Sequence, residues 1–210
     1  MSKKRKGLAL ILGLLAGMFM FYNFSSHINA MENNAEIVPE QKKQLSKLSK
    51  NVKKKSKSTF SGATTYKGVL VLVLSNSSAK SLASGESGQN LVFLNEMRGV
   101  QYAKKNSLAT NGILITGAYG KLGDSRAIPV MTAYYSKDML DTIDFKSNIS
   151  SFDNLTDIYQ EASNYYFWGQ YLQLQGSKGL LSNEELIATD GAPDWFLDVA
   201  IGHQHFKPYK

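Results

Sequence analysis

The stretch Gly112–Tyr135, GILITGAYGKLGDSRAIPVMTAYY, decides how the rest of the chain is read. An apolar run leads into Thr116-Gly117, and further glycines follow at Gly120 and Gly123. If a helix follows Gly123, the segment is a strand–loop–helix that cradles a phosphate. If a strand follows, it is a β-hairpin. The next residues are Asp124-Ser-Arg-Ala-Ile-Pro129-Val. Pro129 has no amide hydrogen and breaks a helix interior. Ile128, Val130, Thr132 and Tyr134 share one parity, as in a strand. The hairpin is therefore the expected structure, with Ile113–Tyr119 paired to Arg126–Tyr135. Its glycines supply positive φ, and Asp124 can bond its own backbone.

Working outward, YKGVLVLVLS (Tyr66–Ser75) is short, β-branched and apolar, and reads as a buried strand. The following SNSSAKSLASGESGQN reads as a polar loop. Leu91–Lys105 reads as a helix with Phe93, Met97 and Val100 on one face. KDMLDTID is a short helix or turn. The strongest helical signal is Asp153–Gln175, where Leu155, Ile158, Ala162, Tyr165, Gly169 and Leu172 recur at helical spacing. Ser182 can cap a short helix, another starts near Pro193, and a loose tail follows Gly202. The expected fold is α+β: a small sheet including the hairpin at about 112–135, packed with helices.

The N-terminus is organised differently. Four basic residues, Lys3 to Lys6, precede an uninterrupted apolar run, and Ala30 offers a small residue for cleavage. This is the layout of an export signal or a signal-anchor over residues 1–30, with the apolar run at 7–24. No Lys or Arg occurs from Gly7 to Gln41, so the basic flank is N-terminal and everything after Phe24 is expected outside the membrane. Residues 31–58 read as a lysine-rich juxtamembrane spacer, and residues 59–210 as the extracytoplasmic domain. Lys42–Ser58 holds eight lysines and no acid, with Leu45, Leu48 and Val52 at i, i+3 and i+7. Such a stretch is either a solvated spacer or a contact to anionic lipid or another anionic envelope polymer, with Lys53, Lys54, Lys55 and Lys57 as its densest cluster. Residues 59–210 carry 12 basic and 14 acidic side chains, a net of −2. The basic charge of the chain, +7 overall, thus belongs to two short segments, which argues against a nucleic-acid partner. The absence of cysteine removes disulfides, thiolate metal sites and thiol nucleophiles.

Three short patterns carry chemistry. Ile113–Gly123, ILITGAYGKLG, resembles the dinucleotide-binding fingerprint of the extended short-chain dehydrogenase/reductase family. That resemblance implies a nicotinamide cofactor whose pyrophosphate rests near Gly117, Gly120 and Gly123. It lacks the family's tyrosine paired with a lysine four residues later, and the residues after Gly123 are strand-like, so no cofactor is expected. Ser77-Ser-Ala-Lys80 matches the Ser-x-x-Lys pattern of penicillin-binding enzymes, in which lysine helps take the serine proton. No Lys-Thr-Gly follows. His203 and His205 have no acidic neighbour in sequence with which to hold a metal. Asp153, Asp157 and Glu161 fall at i, i+4 and i+8 and suit the wet, N-terminal side of a helix. Asn76, Asn148 and Asn154 open glycosylation sequons that matter only in a eukaryotic secretory route. Tyr159, Tyr166, Phe167 and Trp168 lean off the core stripe of the expected long helix and form an aromatic surface for a protein or glycan partner. The expected function is that of an exported or tethered envelope protein with one binding domain. The alternatives are a small hydrolase using Ser77 and Lys80 or carboxylates, and a nucleotide enzyme using the glycine loop.

Overall fold

A computed structural model describes residues 39–82, 86–106, 111–119, 128–150, 161–167, 187–201 and 206–210. Among them lie six strands and six helices. In chain order they are α1 (Pro39–Lys55), β1 (Phe60–Tyr66), β2 (Val69–Leu74), α2 (Asn76–Leu82), α3 (Glu86–Asn106), β3 (Gly112–Tyr119), β4 (Ile128–Ser136), α4 (Lys137–Thr142), α5 (Phe145–Ser150), β5 (Asn164–Phe167), β6 (Ile187–Ala188) and α6 (Asp194–Ile201). The strands form one sheet in the order β1-β2-β3-β4-β5-β6. Only β2 and β3 run parallel; their connection is the crossover through α2 and α3 that a parallel pair requires.

Strand β2 is buried on both faces, which is why it reads as an unbroken apolar run. Leu70, Leu72 and Leu74 point into one core, with Phe93, Met97 and Val100 of α3 and Leu45, Leu48 and Val52 of α1. Val69, Val71 and Val73 point into the other, with Phe196, Val199 and Ala200 of α6. The expected hairpin is present: Ile113 pairs with Tyr135 and Thr116 with Thr132, so residues 128–136 are strand. The helices expected at Leu91–Lys105 and near Pro193 are also present, as α3 and α6.

Four expectations are corrected. Residues 164–167 of the expected long helix are strand β5, with Tyr165 paired to Ala133 and Phe167 to Met131. Aromatic residues at successive positions satisfy a strand as well as a helix, and pairing with β4 decides between them. Residues 161–163 are turn and bend, and 153–160 and 168–175 of that expected helix lie outside the described residues, as do 181–186. The serine-rich loop contains α2. Ser75 caps it, its Oγ accepting from Ser78 N at 3.2 Å, and Ala79 and Leu82 are buried. The tail is tied down where it is described: Tyr209 N donates to Ala63 O at 2.9 Å.

The largest correction concerns the lysine-rich segment. Its Leu45, Leu48, Ser49 and Val52 are buried, so α1 is a layer of the packed unit rather than a spacer ahead of it. It ends in a double bond pattern that closes a helix: Ser58 N donates to Lys53 O at 2.8 Å and Lys57 N to Lys54 O at 3.2 Å. Lys57 takes φ 49 to make this turn. Replacing Leu45 by alanine is therefore expected to lower the free energy of global unfolding by about 2–5 kcal/mol, read by chemical denaturation. An unchanged unfolding free energy would mean that α1 does not belong to the cooperative core.

Candidate functional site

The buried stripe of α1 fixes where its lysines go. At 100° per residue, Lys43, Lys47, Lys50 and Lys54 fall within an arc of about 60° on the side opposite Leu45, Leu48 and Val52. All four are exposed. They make one straight row, i, i+4, i+7, i+11, about 16 Å long at 1.5 Å per residue. Glu40 opens the row at the first turn, where a carboxylate suits the helix dipole. Among the described residues none of the four lysines is in an ion pair, whereas Lys104 and Asp141, 3.2 Å apart, join α3 to α4.

This geometry redistributes the residues singled out from sequence. Lys53, Lys54 and Lys55 are exposed but consecutive, so they project about 100° apart around the axis and do not form one patch. Only Lys54 belongs to the row. Lys57 is exposed beyond the helix end. Lys43, Lys47 and Lys50 complete the row, and the signal for them was the period of Leu45, Leu48 and Val52.

Beside the row, α1 and α3 line an open surface groove of about 310 Å³. It is lined by Gln44, Lys47, Leu48 and Asn51 of α1 and by Tyr102 and Asn106 of α3. Asn106 is held in place by its Nδ2, which donates to Tyr102 O at 2.9 Å. Lys47 belongs to both groove and row.

Among the described residues the other candidates do not assemble into sites. Gly117 lies inside β3, and a Cβ there would sit 2.7 Å from Leu74 Cβ. Its missing side chain serves the packing of β2 on β3, and the next described element is strand β4, not the helix a pyrophosphate needs. Gly120 and Gly123 lie outside the described residues. Ser77 and Lys80 are exposed on the seven-residue α2, and Ser77 Oγ lies 3.0 Å from Ser75 Oγ. Phe167 is buried at 2% exposure, edge-on to Tyr165 at 6.2 Å, and is core rather than surface. Tyr166, half-buried, packs on the α6 side of the sheet. That side carries an aromatic cluster in which Trp195 meets Tyr134 at 5.3 Å and Tyr66 at 6.1 Å. Tyr159, Trp168, Asp153, Asp157, His203 and His205 lie outside the described residues. Among the described residues no group of three or more His, Asp or Glu is placed to hold a metal. No helix among them is long and apolar enough to cross a membrane; residues 7–24 are outside them.

Tyr135 of β4 is fully buried, and burial above all, then the charges of Glu96 on α3 and Glu161, hold its phenol well above the usual 10.0. Comparison with family models, with curated proteins and with solved structures gave no match.

The Tyr135 environment sets an alkaline limit. A folded-state value above the unfolded one means that the tyrosine's contribution is complete below pH 10 and is lost as pH rises from there toward the folded value. Stability is expected to fall above pH 10, with the tyrosinate absorbance of Tyr135 appearing only as the chain unfolds. Tyr135→Phe should flatten that alkaline slope. An unchanged slope in Tyr135→Phe would remove Tyr135 as its source.

Proposed function

We propose that the chain is an exported or membrane-tethered cell-envelope protein whose extracytoplasmic domain binds an anionic envelope polymer through the lysine row of α1. The observation that carries this reading is the row itself: four exposed lysines in register, on a helix whose opposite side is packed into the core. A helix held in this way presents its charges at fixed spacing, so a repeating anion meets them without first ordering the chain. The apolar residues of α1 are already buried, so it has no apolar face to insert into a bilayer. That favours a soluble polyanion over a lipid surface. The net charge of −2 over residues 59–210 keeps the attraction local to α1. The N-terminal basic cluster and apolar run support export, and residues 7–24 form the membrane contact if they are retained. The reading is of a binding protein, with no cofactor and no nucleic acid.

The test uses the full chain on immobilised inorganic polyphosphate and polygalacturonate. Both should be bound, with affinity falling steeply as salt is raised, because exposed charges are screened over about 8–10 Å at physiological ionic strength. Replacing Lys43, Lys50 and Lys54 by glutamine should weaken both by about tenfold, as expected for three exposed contacts of about 0.5 kcal/mol each. Equal binding by the variant would end this reading, and binding confined to anionic vesicles would replace it with a lipid one.

A further inference from the structure

Resting on the reading above, we infer that the groove between α1 and α3 is a saccharide subsite, taking one ring of an acidic glycan while the lysine row holds the acidic groups along the chain.

The lining of the groove is mostly polar. Helix pairs bury their apolar stripes against each other, yet five of the six residues lining this groove carry a polar group: Gln44, Lys47, Asn51, Tyr102 and Asn106. Three of the five are planar amides. An amide offers two donors and a two-lone-pair acceptor within one group, which matches a pair of neighbouring sugar hydroxyls, each both donor and acceptor. Tyr102 adds an amphipathic ring, apolar in body and polar at its tip, and Leu48 adds an apolar wall, so both surfaces of a sugar are provided for. The volume of about 310 Å³ is at the small end of ligand sites, about 300–1,000 Å³.

The walls are built on helices. Gln44, Lys47 or Leu48, and Asn51 follow at i, i+3 or i+4, and i+7 of α1, and Tyr102 and Asn106 at i and i+4 of α3. Asn106 is oriented by its bond to Tyr102 O. Tyr102 packs on the core behind it. The amides are therefore presented by packed elements rather than by loops.

Lys47 gives the subsite its charge preference. It lines the groove and also stands in the lysine row, so a ring seated among the amides has a cation at its edge and further cations at successive turns. A carboxylate or phosphate on that ring faces Lys47, and those on the following rings face Lys50 and Lys54. A polyanion without sugar rings uses the row alone.

The experiment separates groove from row with two probes, polygalacturonate and inorganic polyphosphate, on the full chain. Gln44 is exposed and Asn51 half-exposed, so the double variant Gln44→Ala/Asn51→Ala leaves the core intact, which an unchanged thermal midpoint checks. It should lose about tenfold in affinity for polygalacturonate and none for polyphosphate. The Lys50→Gln/Lys54→Gln variant should weaken both. Equal behaviour of the groove variant toward the two probes overturns the saccharide subsite, whether both affinities hold or both fall. If the groove variant behaves as expected but the lysine variant changes neither affinity, the lysine-row reading fails while the subsite stands. Amide resonances of Gln44, Asn51 and Asn106 should shift on adding digalacturonate. Shifts confined to other residues would overturn the subsite even if the affinities change.

Discussion

The hydroxyl of Ser49 joins three parts of the chain that are far apart in sequence. It sits on the buried side of α1, accepts from Ala63 N of β1 at 3.0 Å and donates to Tyr209 O of the C-terminal segment at 2.7 Å. Tyr209 N in turn donates to Ala63 O. The three backbones meet over Gly62, where a Cβ would lie 2.4 Å from Ser49 Oγ and 2.8 Å from Pro208 Cβ. Only a residue without a side chain permits that approach. Breaking the junction would leave a buried backbone N–H without its acceptor, a cost of about 1–3 kcal/mol. What the junction secures is the orientation of α1: with Leu45, Leu48 and Val52 turned into the core, the lysines have one way to face.

This constraint connects the two halves of the structure. One side of the sheet is closed by α1 and α3, the other by α6, and β2 serves both by alternating leucine and valine. Closing the first side with a lysine-rich helix puts charge and packing on the same element. The helix buries enough on one side to be held and carries enough charge on the other to attract an anion. The groove beside it lies between the same two helices, and two of its lining residues, Leu48 and Tyr102, also belong to the core or pack against it. Lys104 adds to the fixing of α3 by bonding Leu140 O and lying 5.7 Å from the Phe145 ring.

Much of this order is written locally in the sequence. The hairpin of β3 and β4 is legible because Pro129 forbids a helix and the parity of the following residues names a strand. The buried strand β2 and helix α3 announce themselves by period. Strand β1 does not. Between Phe60 and Tyr66 its residues SGATT are small, and its turn to β2 uses Lys67 and Gly68, with φ 46 and 75, instead of the asparagine that usually marks such a turn. Strand β5 is ambiguous by itself, because Tyr165 and Phe167 fit a two-residue period and Tyr165 also fits a helical one. Only its pairing with β4, some 30 residues away, decides. The lysine helix is the clearest case. Seven lysines in one helix suggest a solvated segment, and the partner of Ser49 lies 160 residues further along the chain. Its apolar period was visible; the surface that covers it was not. The groove was invisible for the same reason, since Gln44 and Asn51 acquire meaning only against Tyr102 and Asn106.

The lysine row and the groove both depend on α1 being a fixed part of the fold, and amide hydrogen exchange on the full chain tests this most directly. Amides from about Leu45 to Lys55 should exchange slowly, with protection of the same order as β1 and β2, and Ser49→Ala should lower that protection in α1, at Ala63 and at Tyr209 together. Exchange of residues 45–55 at the rate of an unstructured peptide, while β2 and α3 remain protected, would contradict it.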